Sequence, residues 1–273
     1  MARNYRAELV GVFGDPVDDN PTGVMEEAGF RAKGLNYRYI TAKVQPEALG
    51  AAIAGARAIH MKGFNLTMPH KVRVIPFLDG MSEAARIIGA VNTVYEENGR
   101  YIGENTDGKG FVEAMQMQGA PIEGKKIVLL GAGGAGKAIG VECALAGAKH
   151  ITVINRNRER GEDLARVIAE NTACGAAYLP WEGTVKIPEC DILINATCVG
   201  LAPHADEKPD IDYDGIRPGM VVSDVVFNPE WPPFLREARA RGAKAITGLG
   251  MLVCQGARNF TLWTGEEAPF TAM

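Results

Sequence analysis

Gly131-Ala132-Gly133-Gly134-Ala135-Gly136 has the spacing Gly-x-Gly-x-x-Gly, and its flanks give that spacing chemical meaning. The apolar run Ile127-Val128-Leu129-Leu130 precedes it, as in a strand covered on both faces, and a helical stretch, Lys137–Ala146, follows. In that setting Gly131 makes a tight turn, Gly133 lets the backbone approach a pyrophosphate, and Gly136 allows close helix–strand packing. Gly134 and Ala135 lie at the start of the helix, whose first N–H groups and positive dipole end would face the phosphates. The chemistry implied is dinucleotide binding.

The residue closing the next strand, Ile151–Ile154, discriminates between dinucleotides. An Asp or Glu there bonds the ribose 2′-hydroxyl of NAD. Here the position is Asn155, followed by Arg156, Asn157, Arg158, Glu159 and Arg160. No carboxylate is present at Asn155 to repel a 2′-phosphate, and planar guanidiniums, chiefly Arg156 and Arg160, suit its oxygens. NADP is therefore favoured over NAD.

The elements that must position these residues follow from periodicity. Residues 8–13, 37–41 and 64–68 read as strands, with helical stretches over 24–30 and 46–58. Asn98-Gly99, between Val94-Tyr95 and Tyr101-Ile102, marks a two-residue hairpin, because both residues tolerate positive φ. Further apolar strands at Ile192–Ile194, Met220–Val222 and Ala245-Ile246 alternate with helical stretches, and a last helix covers about Met251–Trp263. The expected fold class is α/β: an N-terminal α/β substrate domain plus a doubly wound, Rossmann-type NADP-binding domain. The first takes residues 1–105 and is completed by 250–273; the second takes 106–249.

The 273 residues carry 29 Lys plus Arg against 33 Asp plus Glu, a net charge of −4, with 47% hydrophobic content. That balance excludes a disordered or collagenous chain and lacks the basic footprint of a nucleic-acid binder. No apolar run could span a bilayer, and the start lacks a signal-peptide core, so a cytoplasmic address with no membrane association is expected. Five cysteines without a Cys-x-x-Cys pair and four scattered histidines give no metal-ligand spacing. The oligomeric state reads as monomer or homodimer.

Other residues stand out in order: Asn65-Leu66-Thr67-Met68-Pro69-His70-Lys71, Gly89-Ala90-Val91-Asn92-Thr93, Asn105-Thr106-Asp107-Gly108, and Gly248-Leu249-Gly250-Met251-Leu252-Val253-Cys254-Gln255. Taken singly each has a plain reading. Lys71 could be a solvated lysine at a helix start, Asp107 a capping carboxylate, Asn92 a turn residue, Gln255 an exposed helix position and Thr67 a strand filler. Together with the glycine loop, their order and spacing resemble the shikimate dehydrogenase family, from about residue 8 to 265. The stretch Gly250–Gly265 is closest to its quinate/shikimate dehydrogenase branch.

The resemblance implies reversible hydride transfer between NADPH and a 3-dehydroshikimate-like cyclic ketone, within aromatic amino acid biosynthesis. It assigns Lys71 and Asp107 as the catalytic pair and Thr67, Asn92 and Gln255 to the substrate's hydroxyls. It also places Gly248 against the nicotinamide, with Val225 and Met251 beside it. The chain departs from the family where a Ser-x-Ser or Ser-x-Thr motif binds the substrate carboxylate. Asn20-Pro21-Thr22-Gly23 stands there, behind Asp18-Asp19, and a tyrosine of that subsite is Phe227. An altered carboxylate pocket is expected, with quinate, aminoshikimate or another cyclic polyol as alternative substrates. A non-catalytic NADP-binding sensor is the alternative of another class.

Overall fold

The computed structural model describes residues 5–273, which divide into two compact units: residues up to Thr106 together with Gln255–Met273, and Asp107–Cys254. In chain order, the first unit begins with β1 (Glu8–Gly14), α1 (Thr22–Ala32), β2 (Tyr37–Lys43), α2 (Leu49–Ala58) and β3 (Gly63–Leu66). It continues with α3 (His70–Arg73), β4 (Gly80–Met81), α4 (Glu83–Ile88), β5 (Thr93–Glu97) and β6 (Arg100–Glu104). Its sheet has the order β2-β1-β3-β5-β6-β4. β1 runs parallel to β2 and β3, whereas β5 is antiparallel to both β3 and β6.

The antiparallel corner follows from the β5–β6 turn, where Asn98 has φ 53° and Gly99 has φ 78°. Both central residues with positive φ give a turn whose twist matches the flanking strands. Phe13 stacks on Phe64 at a centroid separation of 4.7 Å, and Tyr101 meets Phe64 edge to face at 5.4 Å. Around them pack Leu49, Ile53, Leu66 and Val94. The C-terminal part of the last helix belongs to this unit: Phe260 stacks on Phe30, and Trp263 Nε1 donates to Val94 O at 2.9 Å.

The second unit contains α5 (Thr106–Met117), β7 (Lys126–Leu130), α6 (Gly134–Leu145), β8 (His150–Asn155), α7 (Arg158–Asn171), β9 (Gly175–Pro180) and β10 (Val185–Lys186). Then come β11 (Ile192–Asn195), β12 (Ile211–Asp212), β13 (Val221–Asp224), α8 (Pro233–Ala240), β14 (Lys244–Ile246) and the start of α9 (Leu249–Thr264), which from Gln255 onward belongs to the first unit. Six parallel strands form one sheet, ordered β14-β13-β11-β7-β8-β9. Counted within the unit, this is the doubly wound order, with its reversal between β7 and β11. Leu129, Leu130, Leu193 and Ile194 are fully buried, as strands covered on both faces must be.

Several elements differ from their sequence pattern. The strand expected over 64–68 ends at Leu66, because His70 N–H donates to Thr67 O at 2.8 Å and closes a turn. The stretch after Pro46 opens as a 3₁₀ turn before α2. β9 has no apolar run to reveal it: it is an edge strand, half-buried, whose residues alternate with exposed ones. The short β10–β12 pair gave no periodic signal at all.

Asn195 and Asp224 face each other in register at the ends of β11 and β13. Asn195 Nδ2 donates to both carboxylate oxygens at 3.1 Å and Val226 N–H donates to Oδ1 at 2.9 Å. Burial outweighs these donors and pushes the Asp224 carboxyl up to about 7. A carboxyl raised in the folded state retains a proton that the unfolded chain has already lost. Stability is therefore highest below the unfolded value and declines as pH rises through about 7. The expected outcome is that Asp224→Asn flattens the fall in stability between about pH 5 and about pH 8, by on the order of 2 kcal/mol. Urea unfolding midpoints of both proteins across that range check it.

Candidate active site

The glycine loop follows β7 in the second unit. Gly131 has φ +100°, and a side chain there would meet Thr197 Cγ2 at 2.8 Å and Ala196 O at 3.1 Å, just beyond β11. A Cβ on Gly136 would come within 2.2 Å of Gly131 O, so only glycine lets α6 approach the loop so closely. Gly133 and Gly134 are exposed, and a Cβ on either would meet nothing within 4 Å. Gly133 is extended and caps α6 without a side chain, while Ala135 is half-buried in the first turn. The loop thus leaves open space beside the N–H groups of a helix start, at the reversal of the strand order. An anionic pyrophosphate fits that arrangement.

At the end of β8, Asn155 is engaged within the chain. Its Oδ1 accepts Ala132 N–H at 3.0 Å and its Nδ2 donates to Asn157 O at 2.8 Å. The side chain read as a ribose-facing group thus also braces the glycine loop. Arg156 is exposed, with its guanidinium 5.5 Å from the Trp181 ring centroid. Asn157 caps α7 by accepting Arg160 N–H at 2.9 Å. Of the three arginines, Arg158 has a counter-ion, Glu162, at 3.0 Å. Arg156 and Arg160 make no ion pair among the described residues, and both lie where α7 begins.

Elsewhere in this unit, Asp107 is half-buried in the first turn of α5. Val225, half-buried, follows β13 and donates its N–H to Asn195 O at 3.0 Å. Gly248 is buried against the carbonyls of Val225 and Val226, which a Cβ would approach to 2.6–2.7 Å. This contact alone requires glycine there. Met251 is half-buried on α9, and Phe227 is exposed beyond β13.

The first unit brings six of its sequence-assigned residues onto neighbouring elements. Lys71, half-buried, is the second residue of α3. Its carbonyl accepts Val91 N–H at 2.8 Å, which ties α3 to the segment carrying Asn92. Thr67 is held by Phe13 O through its own N–H, at 3.1 Å. Asn92 Oδ1 accepts Thr106 N–H at 2.7 Å and its Nδ2 donates to Thr106 Oγ1 at 3.0 Å. Gln255 is buried rather than on an exposed helix face, and its Oε1 accepts Asn259 Nδ2 at 3.3 Å. Thr22 is buried at the first position of α1, where its N–H donates to Asn20 Oδ1 at 3.0 Å.

Sequence reasoning missed the group that links these positions. Asn259 Oδ1 accepts the hydroxyls of Thr93 at 2.7 Å and Thr106 at 2.8 Å. Thr93 Oγ1 in turn accepts Asn65 Nδ2 at 3.0 Å, and Asn65 Oδ1 accepts the Tyr39 hydroxyl at 2.8 Å. Asn259 lies one helical turn beyond Gln255, so the i, i+4 spacing was the available signal. Among the described residues no group of three or more His, Cys, Asp or Glu side chains is placed to hold a metal ion. No helix of the described residues is long and apolar enough to cross a membrane.

Comparison with known proteins agrees with this layout. A family model described as the shikimate dehydrogenase substrate binding domain matches residues 12–94. One for shikimate / quinate 5-dehydrogenase matches 113–202, and one for the shikimate 5′-dehydrogenase C-terminal domain matches 248–273. A shikimate dehydrogenase (NADP(+)) of Desulforamulus reducens is 42% identical over 99% of this chain and 94% of its own length. The ligand-free 5-ketofructose reductase of Gluconobacter sp. strain CHM43 is also 42% identical, with a TM-score of 0.95 over 98% of this chain and 97% of that one. Shikimate 5-dehydrogenase from Listeria monocytogenes, in complex with shikimate and NAD, superposes with a TM-score of 0.93 at 34% identity, over 98% and 95% of the two chains. With such identity along nearly its whole length, the chain belongs to the shikimate dehydrogenase family.

Proposed function

We propose that this chain is an NADP-dependent oxidoreductase that moves a hydride reversibly between NADPH and the carbonyl of a polyhydroxylated, 3-dehydroshikimate-like ketone. The first unit is the substrate-binding and catalytic domain, and the second is the dinucleotide-binding domain. The observation that carries the reading is the joint presence, on one chain, of the open glycine cradle at the start of α6 and the polar set around Lys71 and Asn92. A pure NADP sensor has no need of the second. The enzyme is placed in the cytoplasm as a monomer or homodimer.

When bound, the nicotinamide supplies or accepts the hydride. The chain's own residues supply position, electrostatics and the proton. The Lys71 ammonium stabilises negative charge developing on the carbonyl oxygen and donates a proton to it during reduction. In the reverse direction Lys71 receives the hydroxyl proton. Asp107 is the second catalytic residue by family resemblance. Thr67, Asn92 and Gln255 orient the substrate's hydroxyls. Asn92 and Gln255 are both held by their links to Thr106 and Asn259, so little side-chain freedom is lost on binding. Gly131, Gly133, Gly134, Ala135 and Gly136 cradle the pyrophosphate. Arg156 and Arg160 meet the 2′-phosphate, with Asn155 bracing the loop, and Val225, Gly248 and Met251 flank the nicotinamide.

A second reading of the substrate has its own support. Asn20 stands in place of a serine, its Oδ1 already accepts Thr22 N–H, and Phe227 brings no hydroxyl. A substrate carboxylate at that subsite would have fewer donors, at about 1–3 kcal/mol for each missing hydrogen bond. The Gluconobacter relative at 42% identity is named for 5-ketofructose, a ketone without a carboxylate. On this reading the altered pocket suits an uncharged polyol tail.

Two outcomes are expected. Lys71→Ala lowers kcat by about 10²–10⁴-fold while NADPH affinity is retained, as read by steady-state rates and fluorescence titration; wild-type turnover in that variant would sink the mechanism. A cofactor-absorbance screen with NADP and NAD against shikimate, quinate, aminoshikimate and carboxylate-free polyols gives the substrate. Shikimate should be a poor substrate, improved about tenfold by Asn20→Ser combined with Phe227→Tyr. Efficient oxidation of shikimate by the unaltered chain would rule out the altered pocket.

A further inference from the structure

Among the described residues, Glu26 is the one buried acid in the first unit that neither the fold nor the mechanism above accounts for. Its residue exposure is 0%, and neither carboxyl oxygen has a hydrogen-bond partner among the described residues. A buried polar group left so costs stability and is uncommon in a packed fold. Its placement is specific. Glu26 lies on α1 one turn beyond Thr22, on the same buried face, and Thr22 with Asn20 forms the altered pocket. Its Oε1 is also 3.5 Å from the position a Cβ would take on Gly256, the residue after Gln255. The carboxyl therefore lies on the buried face of α1, one turn beyond Thr22, and against α9 at Gly256, next in sequence to Gln255.

The obvious internal partners are engaged elsewhere. The Tyr39 hydroxyl, close enough to feel the Glu26 charge, donates to Asn65 Oδ1. The neighbouring carboxylate, Glu27, accepts Tyr39 N–H at 2.8 Å and faces Arg31. From Val17 to Phe30 the chain has four acidic residues, Asp18, Asp19, Glu26 and Glu27, and no Lys or Arg. Burial raises the Glu26 carboxyl well above the usual carboxylate range, which favours the neutral acid, able both to donate and to accept.

We propose that Glu26 is a specificity-determining residue of the α1 subsite: its carboxyl takes a hydroxyl of an uncharged polyhydroxy ketone as its missing partner. The inference rests on the oxidoreductase reading and narrows its substrate to the class without a carboxylate. A site built to bond a hydroxyl discriminates strongly, because the wrong ligand leaves a buried group unpaired. The segment from Val17 to Phe30 also offers an anionic tail no Lys or Arg of its own.

The test compares the full chain with Glu26→Met and Glu26→Gln, using NADPH with 5-ketofructose as the uncharged ketone and 3-dehydroshikimate as the carboxylated one. The unaltered chain should prefer 5-ketofructose in kcat/KM. Glu26→Met should lose about tenfold or more on that ketone, mainly through KM, without a matching loss on 3-dehydroshikimate. Glu26→Gln, which still donates and accepts, should recover most of that loss. The Met variant should melt no lower than the parent, since it removes an unpartnered buried acid, so a folding defect is distinguishable. A parallel change on both ketones, or a parent that prefers 3-dehydroshikimate, overturns the role of Glu26 and leaves the oxidoreductase reading standing. Turnover of neither ketone overturns both.

Discussion

The acceptance of two threonine hydroxyls by one asparagine oxygen organises the first unit. Asn259 Oδ1 holds Thr93 and Thr106, while its amide reaches Gln255 on the same helix. Each of these side chains is buried, so each would carry a desolvation cost if its partner were removed. Satisfying them together ties the start of β5, the start of α5 and the C-terminal part of α9 to one arrangement. Asn65 and Tyr39 extend the same chain of bonds to β3 and β2. The residues proposed to read substrate hydroxyls, Asn92 and Gln255, are the two ends of this network that depend on it for orientation.

In the second unit the controlling constraint is backbone proximity. The carbonyl of Gly131 lies where a side chain on Gly136 would have to be, and Gly131 itself adopts a conformation that L side chains rarely take. Closing that gap brings α6 directly onto the loop and leaves Gly133 and Gly134 facing open space. Asn155 completes the arrangement by holding Ala132 from the end of β8. A loop braced in this way offers its N–H groups with little reorganisation, which is the physical requirement for binding phosphates tightly.

Chemistry and specificity reside in different parts of the chain. The residues assigned to proton transfer and hydroxyl binding follow the family pattern, and so does the glycine cradle. The start of α1 does not: Asn20 stands where the family motif has a serine, and its Oδ1 accepts Thr22 N–H. A fold can keep its reaction while exchanging one subsite, because function resides in sites carried on the fold and not in the fold itself.

By itself, the amino-acid sequence determined the α/β class, the glycine loop, the Asn98-Gly99 hairpin and the order of the family motifs. These are legible because each depends on local backbone geometry or on the period of apolar residues, and both are written along the chain. It did not reveal β9 or the β10–β12 pair, whose residues carry too little periodic hydrophobicity. Nor did it reveal the company Asn259 keeps or the isolation of Glu26. Asn259 sits 166 positions from Thr93 in the chain, and Glu26 looks like an ordinary helix-surface acid until α1 turns it inward. Which polar groups are buried, and which of those find partners, is a matter of long-range packing. Only the tertiary structure decides it, because the cost of an unpaired polar group arises when water is excluded and not before.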